Sequence, residues 1–308
     1  MGTAYIVDAL RTAGGRRKGR LSGVHANILG ATVLDALLSR TEVDPSAIED
    51  VILGCVTQAG EQSLNVARNI VLASNLPTSV PAVSIDRQCG SSQQAVQFAA
   101  QAIMSGTQDL VIAAGVESMT RVPMGSAVLA ESGVKPRPDS LLEKFRVKSF
   151  SQFEGAEMIA RKYGFDRAAL EAYAVESHKR AAAATNSGAF DQEIIPIEVA
   201  LPDGSTVTHN RDEGIREDAS VEALAELKTL TEEGMLTAGT SSQICDGASA
   251  ILLASEEAVK THGFKPIGRI VQMGVSGGDP VILLEDPLFS TEKTLKKAGM
   301  NLADIDLY

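Results

Sequence analysis

Between residues 5 and 119, short runs rich in β-branched residues alternate with stretches whose apolar residues recur at helical spacing. That alternation restricts the chain to an α/β layer with mostly parallel strands. Tyr5-Ile6-Val7 reads as a strand, and 27–38 sets Leu29, Val33, Leu34, Leu37 and Leu38 on one helical face. Residues 51–56 form the next strand. A helix over 64–73 follows, ended by Asn75 and Pro77, and then a third strand over 80–85. The third helix spans 91–104 and stops at Gly106, a residue suited to the left-handed position after a helix. Residues 109–115 are apolar enough for a strand inside a sheet.

Past Met119 the texture changes to Pro, Gly, Ser and scattered charge, then to Ala- and Glu-rich helices, the clearest over 168–185. This predicts an inserted, partly helical subdomain over 119–242. Within it, 194–199 and 206–209 flank Pro202-Asp203-Gly204 as a hairpin. The α/β texture resumes with a fifth strand at 248–254 and a helix over 256–261, so 1–118 and 243–264 are expected to form one body. Residues 265–308 read as the start of another: a strand-like run over 265–275, a helix over 290–298 and a strand beginning at 305–308.

Composition narrows the function. A chain of 308 residues with 44% hydrophobic content supports one large core or two ordinary ones. No apolar run approaches the roughly 20 residues of a membrane-spanning helix, and residues 1–10 lack the pattern of a secretory signal, so the expected location is the cytoplasm. A net charge of −11 opposes non-specific binding to nucleic acid, which depends on neutralising phosphates. Two basic clusters stand against that background: Arg11, Arg16, Arg17, Lys18 and Arg20, then Lys135, Arg137, Lys144, Arg146 and Lys148. Each is either a local site for a phosphorylated ligand or ordinary solvated charge. The three cysteines, Cys55, Cys89 and Cys245, have no metal-ligand spacing and read as reduced thiols.

Cys89 is the candidate nucleophile. It lies in Asp86-Arg87-Gln88-Cys89-Gly90-Ser91-Ser92, between the third strand and the third helix, at the carboxyl edge where open α/β sheets place their sites. A helix N-terminus favours an anionic sulfur, and Gly90 and the serines leave room for a substrate. The competing reading is a buried, inert cysteine. That reading fits Cys55, inside a strand, better, and Cys245, in a polar stretch before a strand, is open to both.

The same segment resembles the nucleophile segment of thiolases. Ile6-Val7-Asp8-Ala9-Leu10-Arg11-Thr12, Gly115-Val116-Glu117-Ser118-Met119, Asp212-Glu213-Gly214-Ile215-Arg216 and Thr237-Ala238-Gly239-Thr240-Ser241-Ser242 with Asp246-Gly247-Ala248 also resemble thiolase segments, in thiolase order. The resemblance covers nearly the whole chain. It implies a layered α/β fold built on a five-stranded mixed sheet with helices on both faces. The N-terminal half would be complete, the inserted subdomain would bind coenzyme A, and 265–308 would begin the C-terminal half.

On function, the resemblance implies reversible thiolytic cleavage of 3-ketoacyl-coenzyme A, or the reverse Claisen condensation, through an acyl-enzyme on Cys89. Such a protein belongs to fatty acid metabolism. Carried over by position, Arg216 lines the nucleotide end of the coenzyme A site, Leu227 and Ala238 line the pantetheine, and Ser242 hydrogen-bonds it near the thioester. The alternatives are a surface ion pair of Arg216 with Asp212 or Glu213 and a turn role for Ser242. Coenzyme A is a substrate rather than a bound cofactor, and no metal is implied. A homodimer or homotetramer is expected, the latter built with the loop over 121–138.

The family also carries Gly-His-Pro, Cys-X-Gly and Asn-Glu-Ala-Phe segments, which supply acid/base groups and an oxyanion donor. None of these is present up to Tyr308, and His25, His178, His209 and His262 all sit in other contexts, with structural or surface roles expected. The expectation is therefore that these 308 residues are part of a longer protein. Ser151-Gln152-Phe153-Glu154-Gly155-Ala156-Glu157-Met158 departs from acetoacetyl-type thiolases, which carry a histidine there, so the acyl chain is not fixed. Two other readings compete: a ketoacyl synthase relative, and a non-catalytic thiolase-like protein that binds coenzyme A or acts as a scaffold.

Overall fold

Asp50–Gly54 and Leu110–Ser118 consist largely of small and branched apolar residues that are almost all buried. Strands of this kind are stable only with both faces covered. In the computed structural model, which describes residues 2–128, 135–201 and 203–308, they lie inside a mixed sheet. The chain divides into two units: 1–128, 187–214 and 243–270 form the first, and 129–186, 215–242 and 271–308 the second.

The first unit contains strands β1 (Ala4–Thr12), β2 (Gly15–Arg16), β3 (Asp50–Gly54), β4 (Ala82–Ile85), β5 (Leu110–Ser118), β6 (Ile194–Ile195), β7 (Ile197–Ala200), β8 (Thr206–His209), β9 (Cys245–Ser255) and β10 (Gly268–Arg269). Its helices include α1 (Ala26–Thr41), α2 (Val66–Ala73) and α3 (Ser91–Ser105). The main sheet runs β10-β1-β9-β5-β3-β4, with β2 against β9 and β6 against β1. The five expected strands form its continuous run β1-β9-β5-β3-β4, with β4 at one edge. It is less parallel than the alternation suggested: β3 is parallel to β4 and β5, but β9 runs antiparallel between β1 and β5. The reason is connectivity. The chain leaves β5 at Ser118 and re-enters β9 beside it, with Ser118 paired to Asp246, so the returning strand must run the other way.

Alternation along the strands builds two interiors. Val51, Leu53, Ile112, Ala114, Leu252 and Ala254 pack with Leu29, Val33, Leu34, Leu37 and Leu38 of α1 in the main core. Their neighbours Ile52, Val111, Ala113 and Leu253 are equally buried on the opposite face, where α3 presents Ala95, Ala99, Ala100 and Ile103. Gly54 and Gly115 are registered partners on that second face. A Cβ on Gly54 would come within 2.4 Å of the Ser91 carbonyl carbon and the Ser92 nitrogen, and one on Gly115 within 2.0 Å of Ser92 Oγ. The two glycines therefore let the first turn of α3 sit directly on the sheet.

Several expected boundaries change. The hairpin β7–β8 does not belong with the inserted helices but groups with the sheet unit, because Ile197 and Val199 enter the main core. Pro202 of its expected turn lies outside the described residues, while Gly204 takes the left-handed φ of +84°. The strand expected over 265–275 shrinks to β10, paired to Tyr5 and Ile6. Residues 305–308 form no strand: among the described residues no strand pairs with them, and Ile305 N–H turns back to the Leu302 carbonyl. The second unit holds helices Asp139–Phe145, Gln152–Tyr163, Arg167–Asn186, Val221–Ala225 and Asp286–Ala298. Residues 129–134, part of the expected tetramer loop over 121–138, lie outside the described residues. No described helix is long and apolar enough to cross a membrane.

Gly54→Ala places a methyl group against backbone that has no rotamer to move. The expected cost is about 1–3 kcal/mol of stability, read as a lower urea midpoint. An unchanged midpoint contradicts the close-contact account of α3.

Candidate active site

Cys89 is exposed on a tight strand–turn–helix junction. β4 ends at Ile85, and the Asp86 carboxylate accepts hydrogen bonds from the Gln88 N–H (2.6 Å) and the Gln88 amide (3.1 and 3.2 Å). Gln88 takes a left-handed φ of +49°, a conformation costly for a side-chain-bearing residue. The turn is closed by Ser91, whose Oγ donates to the Gln88 carbonyl at 2.6 Å and accepts from the Arg87 N–H at 2.8 Å. Gly90 caps α3 without a side chain, so the sulfur stands at the mouth of a 15-residue helix beside a residue with no bulk. The sequence placed Cys89 correctly at this junction, and the backbone strain at Gln88 is a feature it did not reveal.

Behind this turn, the carboxyl edge of β3 and β5 is fastened by Glu117. Its carboxylate accepts from the Val56 N–H (2.8 Å), the Thr57 N–H (3.2 Å) and the Gln62 amide (2.9 Å). Gln62, fully buried, also donates to the Thr57 carbonyl and accepts from the Ser118 N–H at 2.7 Å. Cys55 N–H in turn donates to the Ile85 carbonyl, just before the Cys89 turn. The Cys55 thiol is buried and pushed up to about 12, first by desolvation and then by the Glu117 and Asp86 charges. Cys245 is exposed at the start of β9, yet its thiol is also raised, first by desolvation and then by Asp246 and Glu117. Burial and nearby carboxylates disfavour the charged form of both, while Cys89 is the exposed thiol next to a helix N-terminus.

The four residues assigned to coenzyme A all fall in the second unit. Leu227 and Ala238 lie on neighbouring segments: the Leu230 N–H donates to the Leu236 carbonyl at 2.8 Å, and Thr229 bridges to Thr237. The Leu227 side chain lies against Gly239, where a Cβ would come within 2.9 Å of Leu227 Cδ1. Both Leu227 and Ala238 are exposed, giving an open apolar surface. Thr237 caps the short turn Ala238–Thr240. Arg216 is exposed, and its N–H donates to His178 Nδ1 at 3.2 Å. Ser242 is exposed at the end of the same segment.

The ion pairs considered for Arg216 are taken by other residues. Asp212 accepts from Arg11 Nη1 at 2.8 Å and Nη2 at 3.1 Å and from the Gly14 N–H at 2.6 Å, while Arg11 Nε reaches Glu193 at 2.7 Å. Glu213 accepts from the backbone N–H groups of Arg16 and Arg20. Of the first basic cluster, Arg11 thus holds Asp212 by its side chain, Arg20 Nε lies 4.0 Å from Glu213, and Arg16 reaches Glu213 through its backbone N–H. In the second, Lys135 pairs with Asp139, and Arg137 and Lys144 lie over Phe150 and Phe145. His209 is fully buried, with Nε2 3.0 Å from the Ala13 carbonyl. His25 caps α1 by accepting from the Asn27 N–H, and His262 stacks on Phe264. No cluster able to hold a metal is found among the described residues.

The chain is similar to known proteins over nearly its whole length. Residues 4–257 match the family model described as thiolase, N-terminal domain. The chain is 46% identical over 311 residues to the steroid 3-ketoacyl-CoA thiolase FadA6 of Mycobacterium tuberculosis, covering 99% of this chain and 75% of that protein. It is 41% identical over 312 residues to the 3-ketoacyl-CoA thiolase FadA of Escherichia coli, covering 100% and 79% respectively. Among solved structures, the acetyl-CoA acetyltransferase of Bacillus anthracis superposes with a TM-score of 0.88 at 33% identity over 100% of this chain and 79% of that one. Human mitochondrial 3-ketoacyl-CoA thiolase superposes with a TM-score of 0.86 at 34% identity over 99% and 79%.

Two outcomes follow from the site. In the native protein, iodoacetamide at neutral pH modifies Cys89 and leaves Cys55 unmodified until denaturant is added, as peptide mass mapping reads. Native labelling of Cys55 contradicts its burial. The second concerns Asp212. Desolvation pushes its carboxyl up, but the Arg11 and Gly14 hydrogen bonds outweigh it and hold the group below its ordinary value. The stabilisation is therefore present above the unfolded carboxyl pKa of about 3.9 and lost as pH falls through the lower folded value. Asp212→Asn is expected to cost about 1–3 kcal/mol at pH 7, with the difference from wild type shrinking below about pH 4. A pH-independent difference contradicts the charge pairing.

Proposed function

The chain belongs to the thiolase family, and from that premise we propose that Cys89 is the nucleophile through which it transfers acyl groups to and from coenzyme A. It is a thiolase-type acyltransferase. The observation that carries the assignment is the exposed Cys89 sulfur at the mouth of α3, on a turn held in a strained conformation by Asp86 and Ser91.

In the degradative direction, the Cys89 thiolate adds to the keto carbon of a 3-ketoacyl-coenzyme A. The resulting alkoxide collapses, the bond between the α and keto carbons breaks, and its electron pair forms the enolate of acetyl-coenzyme A. Protonation at the α carbon releases that product and leaves an acyl thioester on Cys89. The thiolate of a second coenzyme A then takes the acyl group and returns the Cys89 thiolate. Condensation is the same path reversed. Both half-reactions need a base to activate the thiolate and an acid/base to move the proton at the α carbon.

Coenzyme A is assigned to Arg216 at its nucleotide end and to Leu227, Ala238 and Ser242 along the pantetheine. The exposed apolar pair Leu227 and Ala238 suits an uncharged chain with two amides. The substrate class is a 3-ketoacyl-coenzyme A, as in the names of the relatives at 41% and 46% identity. A cytoplasmic homodimer or homotetramer completes the reading, supported by the oligomeric habit of symmetric enzymes and checked by light scattering.

Cys89→Ser in the full-length protein is expected to lower kcat for thiolysis by at least about 10³-fold, the scale of losing a nucleophile, with the thermal midpoint nearly unchanged. Retained turnover removes Cys89 from the mechanism.

A further inference from the structure

The segment carrying Leu227 and Ala238 is held at its two ends by opposite charges. At one end Arg167, in helix Arg167–Asn186, turns a single guanidinium nitrogen onto three carbonyls: Leu224 at 3.2 Å, Ala225 at 2.8 Å and Leu227 at 2.8 Å. Its Nε is held at 2.6 Å by Glu171, a buried carboxylate. At the other end Glu157, in helix Gln152–Tyr163 and 2% exposed, accepts from the Met235 N–H at 2.7 Å and the Leu236 N–H at 2.9 Å. Between them the Leu230–Leu236 hydrogen bond and the Thr229–Thr237 bridge join the two segments, and Leu227 lies against Gly239.

The polarity of each anchor matches its target: a cation on carbonyl oxygens, a carboxylate on N–H groups. Charge-assisted hydrogen bonds of this kind are roughly twice as strong as neutral ones. The segment carries its own cross-links, the Thr237–Thr240 capping box and the buried Leu224 and Leu236, but its Leu227 and Ala238 face solvent and its one helix, Val221–Ala225, is only five residues long. All these groups belong to the second unit. Neither Arg167 nor Glu157 was singled out by the sequence pattern, in which both look like ordinary helix charges.

We propose that Arg167 and Glu157 are positioning residues for coenzyme A, which fix the Leu227–Ala238 surface in the shape that receives the pantetheine. The proposal rests on the assignment of Leu227 and Ala238 to coenzyme A. It predicts selectivity between parts of the ligand, because these anchors act on the pantetheine wall and not on Arg216.

The test compares two probes, coenzyme A and 3′-phospho-ADP, the latter carrying the nucleotide end alone. Binding is measured by calorimetry to the full-length wild-type protein, Arg167→Lys and Glu157→Gln. Arg167→Lys keeps the charge partner of Glu171 while losing the fork, and Glu157→Gln keeps the shape while losing the charge, so both leave the fold able to form. The expected result is a Kd for coenzyme A raised about tenfold, the scale of a lost charge-assisted bond. The Kd for 3′-phospho-ADP should stay unchanged, and the KM for coenzyme A should rise while kcat holds. Unchanged coenzyme A binding overturns the proposal, as does an equal loss of both probes, which marks a general structural role. Wild-type protein that binds neither probe overturns instead the coenzyme A assignment beneath it.

Discussion

The geometry of the candidate site depends on one close approach, the seating of α3's first turn on Gly54 and Gly115. Paired strands at the second face of the sheet present no side chain there, and Ser91 and Ser92 occupy the space a Cβ would need. Cys89 is then fixed by what surrounds it. β4 delivers the chain to the carboxyl edge, Ser91 closes the turn, and the left-handed Gln88 presents the sulfur to solvent. A sulfur on a flexible loop would lose this orientation to conformational entropy. Here the cost of the strained turn is offset by the packing of a helix that buries Ala95, Ala99, Ala100 and Ile103.

The same edge separates the three thiols into different roles. Cys55 lies under the Glu117 fastening, Cys245 at the start of β9, and burial and carboxylates disfavour the charged form of each. The second unit relies more heavily on the device Glu117 uses in the first. It has few buried apolar side chains, and its shape is set by buried carboxylates bonded to backbone: Glu157 to Met235 and Leu236, with Glu171 holding Arg167. Both units use carboxylates on peptide N–H groups, but only the first adds a large close-packed apolar core.

The sheet unit was legible because its signals are local. Helical spacing in α1 marked five residues that are all buried in the core, and Gly106 did end α3. What escaped depends on partners distant in sequence. The antiparallel entry of β9 follows from the pairing of Ser118 with Asp246, and the hairpin β7–β8 joins the sheet unit through Ile197 and Val199. Residues 305–308 have strand composition but no partner strand among the described residues. At the site, Cys89 was readable from the junction it occupies. Arg167, Glu157 and Gln62 were not, because a charge or amide on a helix face carries no mark of the backbone group it will meet.

The chemistry attributed to Cys89 is tested most directly by trapping the acyl group. Full-length protein is mixed with a 3-ketoacyl-coenzyme A in the absence of free coenzyme A, quenched in acid, and mapped by peptide mass spectrometry. The account predicts a mass increase equal to the shortened acyl group on the peptide containing Cys89, removed when coenzyme A is added before the quench. Turnover with no adduct on Cys89, or with the adduct on Cys55 or Cys245, contradicts it.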